Sequence, residues 1–104
     1  MAKDIDFVWP LLQQHQGETF YTAKGLPFTY TIRGGELFVD RRSKSITIST
    51  VANALEKIAA LEMDVIPITG PKKIGCYGAS YLYPVLLALG IFTSLVNDQN
   101  VNTI

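Results

Sequence analysis

Alternation in the first half of the chain and helical periodicity in the second indicate an α+β fold. Phe28, Tyr30 and Ile32 alternate with Thr29, Thr31 and Arg33, the two-residue period of a strand with one buried face. Val51, Ala54, Leu55, Ile58 and Leu61 recur on a single helical face. The expected architecture is an N-terminal helix, a three-stranded antiparallel meander, and two C-terminal helices packed on one face of the sheet. A chain of 104 residues suits one domain. Residues 1–96 are expected to form it, with a polar tail over 97–104.

The first element lies in "DIDFVWPLLQQHQ" (4–16), where Ile5, Val8 or Trp9, and Leu12 share one side. Asp4 or Asp6 can cap its start. Proline fits a helix only in the first turn, so Pro10 implies a start near Trp9 or a kink there. Gly17 ends it. Three strand candidates follow: "ETFYT" (18–22), the alternating run, and "ELFVD" (36–40) beyond the Gly34-Gly35 hairpin signal. Three strands with one apolar face need a layer packed on that face. After the basic break "RRSKS" (41–45), residues 46–62 form the clearest helix, capped by Thr47 or Ser49. Two prolines and a glycine make 63–73 a loop, and the last helix comes from "SYLYPVLLALGIF".

Residues 74–96 carry no charge, which by length alone fits a membrane span. Gly75, Gly78, Ser80 and Pro84 interrupt the apolar content, and the strongly apolar run, "VLLALGIF", is too short to cross a bilayer. A core helix covered on all sides is the better reading. "MAKDIDFVW" has no leader pattern, so a cytoplasmic location is expected.

Composition excludes several chemistries. Lys plus Arg equals Asp plus Glu, nine each, so no global field draws the chain to nucleic acid or to an anionic membrane. The lone Cys76 rules out an internal disulfide and multi-cysteine zinc modules. His15 sits in a polar helix end and reads as solvated, with no carboxylate evident beside it. Cys76, among Ile74, Gly75 and Tyr77, reads as an inert thiol unless exposure and Lys72 or Lys73 lower its pKa. GxSxG, HExxH, CxxC and GxGxxG patterns are absent. No catalytic residue, metal or cofactor is implied.

Two places remain. "KKIGCYGASY" puts Lys72, Lys73, Gly78 and Ser80 before a helix, and a helix N-terminus with nearby cations can hold an anion. The plainer reading is that Ser80 caps its own helix. The stretch is not a P-loop, because the lysine–serine/threonine pair after the last glycine is missing. Pro84 implies a helix starting near Tyr83 or a distorted first turn. The second place is basic: Arg33, Arg41, Arg42 and Lys44 gather around the hairpin and the following link. With Tyr21 and the Thr29–Thr31–Arg33 face, they offer phosphate contacts and stacking. The plainer reading is an ordinary solvated sheet face.

At "GLPFTYTIRGGELFVDRRSKSITISTV" and "GPKKIGCYGASYLYPVLLALGIF" the chain resembles a group of small α+β proteins of Gram-positive bacteria. The resemblance spans about residues 17–92. It implies no catalytic or cofactor residue and favours a non-enzymatic role. The expected function is a small binding or regulatory module that meets nucleic acid or a protein through the sheet and the 41–44 link. The alternatives are a homo-oligomeric interaction module using Tyr77, Tyr81 and Tyr83, and an anion or small-ligand binder at the 75–81 turn.

Overall fold

The computed structural model describes residues 4–42 and 44–92. The polar tail expected over 97–104 and the end of the charge-free run lie outside them. Helix α1 spans Ile5–Gln14 and is capped by Asp4, whose Oδ1 accepts from the Phe7 N–H at 3.2 Å. The helix runs through Pro10 rather than starting near Trp9. Proline removes the bond to the Asp6 carbonyl, and both residues are exposed, so water can take that carbonyl. Val8, Trp9 and Leu12 are buried, which resolves the choice between Val8 and Trp9 in favour of both.

The end of α1 is fastened to the sheet by three hydrogen bonds. Gly17 N–H donates to the Tyr30 carbonyl at 2.9 Å. Ile32 N–H donates to Gln16 Oε1 at 2.9 Å, and the buried Tyr30 hydroxyl donates to the Leu12 carbonyl at 2.6 Å. The Leu12 carbonyl also accepts from the His15 N–H at 3.3 Å, so the phenol fills its second acceptor position.

The strands are β1 (Phe20–Tyr21), β2 (Pro27–Phe28), β3 (Tyr30–Arg33), β4 (Glu36–Val39) and β5 (Ile46–Thr47). They form an antiparallel pair, β1–β2, and a three-stranded antiparallel sheet ordered β3–β4–β5. The sheet's third strand is therefore Ile46–Thr47, and the expected strand at 18–22 pairs elsewhere. The cause is α1: Gln16 and Gly17 already occupy the open edge of β3, so β1 pairs one step earlier, with β2. Thr29 is the changeover. Its N–H donates to Asp40 Oδ1 at 3.2 Å, and its carbonyl accepts from the Asp40 N–H at 3.1 Å. At the β3–β4 turn Gly34 takes φ 59°, the left-handed value that a two-residue hairpin asks of its first central residue.

Helix α2 spans Ile48–Met63, two residues later than the periodicity alone implies. Thr47 caps it, accepting from the Thr50 N–H at 3.2 Å. A capping residue is extended, here φ −79° and ψ 159°, and that conformation lets it pair as a strand. Val51, Ala54, Leu55 and Ile58 are buried, while Leu61 is half-buried against the core. The loop expected over 63–73 contains a short helix, α3 (Pro71–Ile74), and the last helix is α4 (Ala79–Ala88). Helix α4 begins well before Tyr83, so Pro84 lies inside it and deprives the Ser80 carbonyl of a donor. No helix among the described residues is long and apolar enough to cross a membrane.

The fold is thus α+β, with one core. Inward-facing Phe28, Tyr30, Leu37, Val39 and Ile46 meet Val8 and Leu12 of α1, Val51 and Leu55 of α2, and Leu82 and Leu86 of α4. Burial of each such side chain stabilises by about 1.5–3 kcal/mol before ordering costs. Outside the core, the sheet shows Thr31, Arg33, Glu36 and Asp40 to solvent.

Candidate nucleic-acid interface

The link from β4 to β5 carries Arg41, Arg42 and Lys44, and the turn from α3 to α4 carries Tyr77. These segments are far apart in sequence and adjacent in space. The Arg42 guanidinium carbon lies 5.8 Å from the ring centres of both Tyr77 and Tyr81. Lys44 Nζ lies 4.7 Å from the Tyr77 ring centre, and the Tyr77 hydroxyl donates to the Lys44 carbonyl at 3.2 Å. Tyr81 in turn meets the buried Phe28 edge-on, centroids 5.1 Å apart. Each cation–ring contact at an exposed site is worth about 0.5–1 kcal/mol. Together they pin the link onto the helical layer.

Gly78 permits this approach. It has φ 75°, and a Cβ built there would stand 2.5 Å from Ile46 Cδ1 and 2.7 Å from Ile46 Cγ1. The start of α4 therefore rests directly on β5, with Tyr77 just before the contact and Tyr81 one turn beyond it. Arg41 is fixed separately: its Nε donates to the Pro27 carbonyl at 2.6 Å, and the residue is exposed. Beside it an open groove of about 290 Å³ is lined by Thr19, Pro27, Phe28, Thr29, Asp40 and Arg41.

Arg41, Arg42 and Lys44 are exposed, and none is ion-paired among the described residues. Arg42 and Lys44, lying on tyrosine rings, lose some rotamer freedom. The result is a fixed positive surface on a chain with zero net charge.

Arg33 does not belong to it. Arg33 pairs with Glu36 at the hairpin turn, whereas Arg41 lies past the opposite end of β4. Four strand residues separate the two ends, roughly 13 Å. The Arg33 guanidinium covers Phe38 at 5.4 Å and shares the outward face with Glu36 and Asp40. That face is mixed in charge, so the cationic surface is the link, not the sheet.

The 75–81 turn also differs from its expected chemistry. The residue capping α4 is Gly78, with no side-chain cap bond, and Ser80 is an exposed residue of the first turn. Lys72 and Lys73 are exposed on α3. What the turn contributes is its tyrosines. Burial pushes the half-buried Cys76 thiol above its ordinary pKa, which keeps it protonated and unreactive. Tyr83 is buried and rests on Phe92 at 5.4 Å, so it is no part of an exposed aromatic surface. His15 does have a local carboxylate: the turn at Gly17 brings Glu18 Oε2 to 2.9 Å from Nδ1.

The juxtaposition of link and turn has one sequence signal. Tyr77 and Tyr81 stand four apart around a glycine, the spacing of two rings on one side of a helix start. Comparison with protein-family models, with curated proteins and with solved structures finds no match. The chemistry of the interface rests on these residues alone.

Proposed function

We propose that the chain is a small, non-enzymatic binding module for single-stranded nucleic acid, held by Arg41, Arg42 and Lys44 with Tyr77 and Tyr81. The observation that carries this reading is the convergence of Arg42 and Lys44 on Tyr77 and Tyr81, with Arg41 beside them in the same link and none of the three ion-paired among the described residues. Guanidinium and ammonium groups take phosphates, and once Arg42 and Lys44 turn to phosphate the Tyr77 and Tyr81 ring faces can stack bases that a duplex keeps to itself. Zero net charge leaves the attraction local, so affinity is modest and strongly salt-dependent.

The test is fluorescence anisotropy of labelled mixed-sequence DNA and RNA strands, titrated across salt concentrations. The wild type should bind at low ionic strength with little sequence preference. The variant R41Q/R42Q/K44Q should bind more weakly to every strand. Its plot of log affinity against log salt should be flatter by about 0.7 for each cation that no longer meets a phosphate. Absence of salt-sensitive binding by the wild type rules the reading out.

A further inference from the structure

At the far end of α2 three local preferences are broken together. Val65 takes φ 57°, in the position just past the helix that glycine usually fills. The chain is held there by Val65 N–H to the Glu62 carbonyl at 3.1 Å and Ile66 N–H to the Leu61 carbonyl at 2.8 Å. A β-branched residue is a poor choice for that conformation. Glu62 and Asp64 sit at the negative end of the helix dipole, and no basic residue occupies the last turn. Finally, Met63 is 84% exposed and Val65 83%, with Ile66 beside them at 39%. None of these choices serves the fold, and such departures collect at functional surfaces.

The corner is an apolar knob flanked by two carboxylates that no cation pairs among the described residues. Its complement is an aromatic surface that carries cations. The chain carries one in the rings of Tyr77 and Tyr81 beneath Arg42 and Lys44. Within one molecule the two cannot meet, because α2 separates them: it starts beside the link, at β5, and runs 16 residues, about 24 Å. We propose that the 62–66 corner of one copy docks on the cation–tyrosine cluster of a second copy. Each copy then offers one corner and one cluster, so two copies can exchange both contacts and close as a dimer, or the contact can run head-to-tail into rings or open chains. The proposal does not depend on the nucleic-acid reading, although a bound strand would compete for the cluster.

Sedimentation velocity on the full chain, across protein and salt concentration, tests it. At low salt the average mass should grow with concentration past that of the monomer, and high salt should return monomer. E62K/D64K should stay monomeric, as should R42E/K44E, and mixing the two should restore assembly. Val65→Gly should resist urea better than the wild type yet assemble roughly tenfold more weakly. A chain that stays monomeric at every concentration, or assembles equally well as E62K/D64K, overturns the proposal. Circular dichroism of E62K/D64K confirms that its monomer is folded. Because that variant adds two lysines, the earlier proposal is read separately on E62Q/D64N, which keeps the cationic cluster and adds no cation: its salt-sensitive oligonucleotide binding should persist while its assembly weakens.

Discussion

Gly78→Ala should be among the most damaging single-methyl additions in the molecule. Two costs combine. Residue 78 sits at φ 75°, where a side chain costs about 1–2 kcal/mol relative to glycine. The added carbon would also stand 2.5 Å from Ile46 Cδ1, well inside contact distance, and Ile46 is buried in the strand that α4 rests on. Relieving such overpacking typically costs about 1–3 kcal/mol. The sum, about 2–5 kcal/mol, is a large share of the stability of a domain this size. Urea unfolding followed by circular dichroism measures it. Ile46→Ala separates the two costs, because it removes the clashing atoms and leaves the backbone strain. Gly78→Ala should therefore cost less in the Ile46→Ala background, with a coupling of about 1–3 kcal/mol. A loss below about 0.5 kcal/mol, or additive single and double variants, would refute the argument that this glycine sets the approach of α4 to β5.

Leu55→Ala should cost about 2–5 kcal/mol in the same unfolding assay, since Leu55 is buried on the core face of α2; a near-zero loss would displace the helix. Val65→Gly should raise stability by about 1 kcal/mol by removing left-handed strain from an exposed residue. Burial, and secondarily the Glu18 charge, push the Tyr30 phenol well above its ordinary value of 10.0. The unfolded chain then loses this proton first, so folding stability is full below about pH 10 and falls as pH rises beyond it. Tyr30→Phe should lose about 1–2 kcal/mol at neutral pH with the Leu12 bond, and its alkaline decline should be shallower than that of the wild type.

What the sequence revealed follows from which forces are local. The alternation at 28–33 and the stripe at 51–61 are nearest-neighbour patterns, and both place the expected side chains in the core, with Ile32 and Leu61 only half-covered. Strand pairing is not local. That β1 joins β2 instead of β3 depends on Gln16 and Gly17, at the exit of the first helix, reaching the β3 edge. The cap at Thr47 was legible, but its second role as a strand residue required a partner, Glu36, that no short window contains. The interface was legible in pieces: Arg41, Arg42 and Lys44 stood out as charge and 75–81 as an odd turn. Their union was hidden because it depends on the close approach at Gly78. Sequence distance alone groups Arg33 with the link, but the hairpin carries it to the other end of the sheet.

The central claim is that the 41–44 link and the 75–81 turn act as one surface for a single strand. An ¹H–¹⁵N NMR titration of the labelled protein with a short single-stranded oligonucleotide tests it most directly. Resonances of Arg41, Arg42, Lys44, Tyr77 and Tyr81 should shift together along one saturation curve, while those of Arg33, Lys72 and Lys73 stay in place. Shifts centred on Arg33 and the outward sheet face, or on the α3 lysines, or no saturable shift at low salt, would contradict the account.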